Sequence, residues 1–271
     1  MTSTELPPVV LGRINESFHQ VAAAVVEETL LRLGHPVEVR EGPHPEMYPQ
    51  LGAGALHVFA SSWLPGGHGV YWQQIRDRVQ QVSPLYDGAR FFWAVPDYVP
   101  VDQVTALPDL ARPDVTSRMA SLVVQGTTPG AGLTMRSQQL ITDYGLDQAG
   151  WSYRIGDLEQ IVKTVNARIS AEDWFVTPLW EPQYLNDVHR LRPLDDPRGV
   201  FPPPDRAWLT ANRRAFERLP ERTGAVLQKV HFTLADATSM DLAVNIDGLD
   251  PLAAARAWMG KHSDVVPAWF R

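Results

Sequence analysis

Three short stretches of this chain carry residues able to bind a small charged molecule. The first is SSWLPGGHGVYW, residues 61–72, with two Trp, one His, three Gly and one Pro. A Trp face attracts a cation by about 0.5–2 kcal/mol, depending on desolvation. An imidazole five residues further on can donate to an anion. So Trp63 suits a cationic group and His68 an anionic one. The second is LWEPQY, residues 179–184. Here Trp180 closes an apolar run before a Pro turn, as Trp63 does. The third is TTPGAGLTMRSQQL, residues 127–140, a Gly-rich turn opening a helix whose first N–H groups face outward. No Lys-Ser/Thr pair follows these glycines, and their spacing is not the dinucleotide fingerprint, so a carboxylate-sized anion suits the turn better than a nucleotide. Each feature also has a plainer role: two core Trp, a loop His, an ordinary helix start. Trp72 reads as packing.

Little else points to chemistry. There is no G-x-S-x-G elbow and no H-E-x-x-H, and Cys is absent. His19, His35, His44, His57, His189, His231 and His262 show no metal-ligand spacing, so no metal and no cofactor are expected. The formal charge is -7 with no block of Lys or Arg, which argues against a nucleic-acid partner. No apolar run is long enough to span a membrane. The start, MTSTELPPVV, lacks a basic and an apolar signal region. The expectation is a cytoplasmic protein if the chain is complete as written, and a periplasmic or extracytoplasmic one if a leader was removed.

Strands and helices alternate around these stretches, which implies an α/β fold with mostly parallel sheets flanked by helices. PPVVLGRI reads as a buried strand, NESFHQVAAAVVEETLLRLG as a helix stopped by Gly34, HPVEVREG as a strand, EMYPQLGAG as a short helix and ALHVFASSW as a third strand. ARFFWAVPDYVP is a strand leaving one lobe. SLVVQG, the helix after the Gly turn, WSYRIGD, LEQIVKTVNARISAED and WFVTPLWEPQYL repeat the pattern in a second lobe. The Pro-rich RLRPLDDPRGVFPPPD returns the chain. Two tail helices are expected, Leu209–Leu219 and PLAAARAWMGKH, the second with Asp250 as N-cap and Pro251 at N1. The expected division is residues 1–97 plus 199–271 as a discontinuous first lobe and 98–198 as the second, with a ligand cleft between them.

These motifs, in this order over about residues 9–270, resemble the glycine betaine, choline and proline-betaine binding proteins of ABC importers. The resemblance rests on GAGALHVFASSWLPGGHGVYW, ARFFWAVPDYVP, TTPGAGLTMRSQQL, WFVTPLWEPQYL, LRPLDDPRGVF and PLAAARAWMGKHSDVVPAWF. It implies a two-lobed clamp of the periplasmic-binding-protein type (type II) that performs no catalysis. It also implies that Trp63 and Trp180 box a quaternary ammonium, while His68 and the Gly132 and Leu133 amides hold a carboxylate. ABC permease subunits are the implied partners. Two places depart from the family pattern. Where a third box Trp usually stands, the sequence reads RINESF, placing Asn15 or Glu16 there, and Gln183 replaces a His in WEPQY. Asn15 and Glu16 accept N–H donors, which a fully methylated nitrogen lacks. The expected ligand is therefore betaine-like or a less methylated amine. Two other readings keep the fold: a cytosolic sensor or accessory protein with a non-betaine ligand, and an enzyme using Glu16 or Glu181 as a base.

Overall fold

The computed structural model describes residues 6–271. These form two compact units: the chain through Ala89 together with Asp205–Arg271, and Arg90–Pro204.

The first unit begins β1 (Val9–Ile14), α1 (Ser17–Arg32), β2 (Val37–Gly42), α2 (His44–Ala53), β3 (Val58–Leu64), α3 (Gly69–Ile75) and the start of β4 (Val79–Pro96). β1 and β3 are buried nearly throughout, as central parallel strands require. β1 pairs in parallel with β2 and with β3. α1 buries Phe18, Val21, Ala22, Val25 and Leu30. It ends at Gly34, whose φ of +92° is the left-handed turn that glycine adopts without penalty. Trp72 packs against the cluster of Tyr48, Leu51, Phe59 and Ile75.

The second unit carries the rest of β4, then α4 (Pro113–Thr116), β5 (Val123–Gln125), α5 (Gly132–Asp143), β6 (Ser152–Arg154), α6 (Leu158–Ser170), β7 (Thr177–Glu181), α7 (Leu185–Val188) and β8 (Leu191–Pro193). β7 and β8 lie antiparallel to β4, and β5 pairs in parallel with β6. α5 is tied to β4 at Ser137, whose hydroxyl accepts the buried Trp93 indole N–H at 2.9 Å.

The chain then completes the first unit with β9 (Asp205–Asn212), α8 (Arg213–Phe216), α9 (Glu221–Leu227), α10 (Leu234–Asn245), α11 (Pro251–Lys261) and α12 (Val266–Trp269). Here the sequence expectation of a helix over Leu209–Leu219 is corrected. Residues up to Asn212 are a strand, and only Arg213–Phe216 is helical. The physical reason is non-local. β9 fills the gap between β3 and β4 and pairs antiparallel with both, so ladder bonds on two edges outweigh a weak helical pattern. Among the described residues of this sheet β1, β2, β3 and β4 run one way and β9 the other. Asp250 caps α11 as expected, accepting from the N–H groups of Leu252 and Ala253. Glu28 joins α11 to α1 through Arg256 at 2.7 Å.

Candidate functional site

Trp63 stands near the end of β3, just after a bulge that places one extra residue opposite β9. Ser61 in that bulge has φ +68°, a conformation costing a non-glycine residue about 1–2 kcal/mol. Its hydroxyl meets Tyr86 Oη at 3.0 Å, and the Trp63 indole N–H donates to the same Tyr86 oxygen at 3.0 Å. Trp63 is buried, with Phe18, His19 and His68 around its ring at centroid distances of 5.4, 5.8 and 6.0 Å. The turn after it is held by one carboxylate. Asp205 accepts the Gly66 and Gly67 N–H groups, both at 2.7 Å. Burial raises the Asp205 pKa, and these two donors oppose the rise.

His68 closes back onto the strand. Its backbone N–H donates to the Trp63 carbonyl at 2.8 Å, and its Nδ1 accepts the Trp63 N–H at 2.9 Å. A backbone N–H can only donate, so neutral His68 carries its proton on Nε2. That Nε2 lies 3.0 Å from His44 Nε2. His19 completes a buried trio whose ring nitrogens lie within 4.8 Å of one another. Burial, and then the neighbouring rings, push His19 and His68 well below the usual imidazole range, and burial alone takes His44 down to about 4. All three are neutral at pH 7. The spacing of the three in sequence gave no sign of this cluster. A metal would need a lone pair from each ring. As hydrogen-bonded here, His68 presents a proton instead, and His44 accepts it.

Asn15 and Glu16 lie at the start of α1. Asn15 is exposed. Glu16 is the N-cap residue, but its side chain makes no cap hydrogen bond. Burial, then the charge of Asp241, raise its carboxyl to about 7. A carboxyl near a helix start is ordinarily favoured as the anion, so burial dominates.

The second unit holds the other expected residues. Trp180 is buried in β7 and pairs with Phe91 of β4. The Trp180-Glu181-Pro182 and Trp63-Leu64-Pro65 stretches share a detail: the bond before each Pro is cis. Glu181 is held bidentately by Arg90 at 2.8 and 3.0 Å, so it is not a free base. Gln183 is buried, and its Oε1 accepts the Leu185 N–H at 2.7 Å. Its Nε2 has no partner among the described residues. Gln183 was noted in the sequence only as a departure from a family pattern. Gly132 and Leu133 form the first turn of α5, where Ala131 is the N-cap and no side chain caps the helix. Close approach shapes the loop before it. A Cβ on Gly126 would lie 1.9 Å from Tyr153, whose hydroxyl lies 3.3 Å from both the Thr127 N–H and Thr134 Oγ1.

The structure thus gathers Trp63 and His68 into one buried cluster with His19 and His44. It sets Trp180 and the Gly132–Leu133 amides in the other unit. The first unit offers a buried Trp with a fixed imidazole donor, and the second a buried Trp and a helix start that no side chain caps. The family model for the substrate-binding domain of the ABC-type glycine betaine transport system matches residues 7–261. The chain belongs to this family. A curated member, the glycine betaine/carnitine transport binding protein GbuC of Listeria monocytogenes, is 27% identical over 165 residues. That match covers 61% of this chain and 54% of GbuC. Lactococcal OpuAC, solved closed with glycine betaine, superposes with a TM-score of 0.87 at 22% identity, covering 98% of this chain and all 100% of that one. ProX of Borrelia burgdorferi gives 0.86 at 18% identity, covering 97% and 96%. A choline binding protein complexed with choline gives 0.84 at 19%, covering 97% and 91%. The fold is therefore the two-lobed α/β fold of periplasmic binding proteins. Among the described residues no helix is long and apolar enough to cross a membrane.

Proposed function

We propose that this chain is the extracytoplasmic solute-binding component of an ABC importer and binds, without turnover, a small zwitterion of the glycine betaine kind. Trp63 and Trp180 take the cationic end. The carboxylate displaces His44 as the acceptor of the His68 Nε2–H and takes the Gly132 and Leu133 amides as well. The observation that carries this reading is the Trp63 N–H to His68 Nδ1 bond. It fixes the imidazole as a neutral donor at any pH where the buried ring stays uncharged. A neutral donor suits a zwitterion, because it holds the carboxylate without repelling the ammonium.

Asn15 and Glu16 set how many methyl groups the nitrogen carries. A Glu16 carboxyl near neutrality accepts an N–H as the anion. This lets dimethylglycine, or another amine with an N–H, bind as well as the fully methylated betaine. Calorimetric titration with glycine betaine, dimethylglycine, glycine and choline tests both points. Dimethylglycine binding as tightly as glycine betaine, with choline weaker, is expected. Choline binding as tightly as glycine betaine would remove His68 and the α5 amides from the site. Glycine betaine binding more than about tenfold tighter than dimethylglycine would remove the role given to Asn15 and Glu16.

A further inference from the structure

A cavity of about 850 Å³ opens where β9 ends in the first unit. Its size is that of a small-molecule site, about 300–1,000 Å³. Arg78, Arg213, Arg214 and Arg218 line it, against two carboxylates, Asp77 and Glu217. This is a cationic hollow in a chain whose formal charge is -7. None of the four arginines makes an ion pair among the described residues. The carboxylate of Asp77 sits 3.8 Å from Arg76 instead.

The frame around these side chains is hydrogen-bonded. Arg213 N–H donates to the Arg78 carbonyl at 3.0 Å, joining the two segments that supply the guanidiniums. Asn212 Nδ2 donates to the Leu51 carbonyl at 3.1 Å, and its Oδ1 accepts the Ala215 N–H at 3.2 Å. His57 also lines the cavity, and its Nδ1 accepts the Val10 N–H at 3.2 Å. Neutral His57 therefore carries its proton on Nε2 and is a donor there. Pro7, Pro8 and Leu219 give the rim an apolar part.

A monocarboxylate engages one guanidinium fork. A phosphate group, with three terminal oxygens and close to two charges, engages several. We propose that this cavity binds a small phosphorylated molecule carrying at least two negative charges, its phosphate oxygens held by Arg78, Arg213, Arg214 and Arg218. The site shares no residue with the proposed zwitterion site, so either can fail without the other. The same chemistry is offered by a soluble phosphate ester and by a phosphomonoester lipid headgroup.

The test titrates pyrophosphate and ADP into the full chain at low ionic strength, beside cosedimentation with phosphatidic acid vesicles and with phosphatidylcholine vesicles. The comparison is with Arg213→Ala/Arg218→Ala and Arg213→Lys/Arg218→Lys. The lysine pair keeps charge and fold but loses the fork. Saturable binding of pyrophosphate or ADP, weakened about tenfold or more by the alanine pair and less by the lysine pair, is expected for a soluble ligand. Binding to phosphatidic acid vesicles alone, lost in the same variants, assigns the lipid source. Absence of binding in every arm overturns the proposal. So does binding equally strong in the two variants.

Discussion

The two Trp-x-Pro motifs are built alike in backbone and differently in their surroundings. Around Trp63 the polar groups close on one another: indole to Tyr86, backbone to His68, turn amides to Asp205. Around Trp180 the contacts include an exposed pair, Arg90 with Glu181, and a bond from Asn186 Nδ2 to the Trp180 carbonyl at 2.9 Å, while a buried Gln183 Nε2 has no partner among the described residues. Satisfied buried networks rigidify, whereas a buried donor without a partner disfavours the arrangement that holds it by about 1–3 kcal/mol. The first motif is thus fixed by its own unit, and the second has a donor to offer a ligand.

The largest effects should come from breaking the first motif. Asp205→Ala strands two amide donors and should lower stability by about 2–4 kcal/mol in urea unfolding. A loss no greater than that from Glu181→Ala would erase the contrast. The histidine trio should make the first unit acid-labile. His44 is near 4 folded and 6.5 unfolded, so the unfolded chain takes up the proton first as pH falls. Stability is full above about 6.5 and falls below it, by up to about 3 kcal/mol for His44 alone. His44→Gln should flatten that part of the profile; an unchanged slope would mean that His44 titrates normally.

Glu16 has the opposite sign. Its folded pKa, about 7, lies above the unfolded 4.5, so the folded state holds the proton longer. Stability should decline as pH rises from about 4.5 to 7, by up to about 3 kcal/mol, and Glu16→Gln should abolish the decline. A Glu16→Gln profile identical to the parent would show that the carboxyl is not shifted. The smallest effect belongs to the second motif. Glu181→Ala should change stability by less than about 1 kcal/mol, as exposed pairs do. A larger loss would show that this half, too, is held by its own contacts.

Local signals in the sequence identified local features. Periodicity marked β1, α1 and β3, Gly34 marked a helix end, and Asp250-Pro251 marked a helix start. β9 escaped because its partners lie far away in sequence, at residues 58–64 and 79–89. In the same way the trio of His19, His44 and His68 comes from three separate elements and has no motif. Asp205, which holds the Gly66-Gly67 turn, is 138 residues from Gly67. Trp63, His68, Trp180 and the α5 start could be picked out because each sits at a strand or helix end with its own turn signature. The groups that orient them could not.

The central claim is that His68, fixed as a neutral donor by Trp63, holds a carboxylate beside the aromatic cation site. The most direct measurement is calorimetric titration of glycine betaine and choline into the parent chain and into His68→Phe, which keeps a ring against Trp63 but has no donor. The account predicts that His68→Phe weakens glycine betaine by about tenfold or more, the worth of a charge-assisted hydrogen bond, and leaves choline within about twofold. Glycine betaine bound equally by both proteins would contradict it.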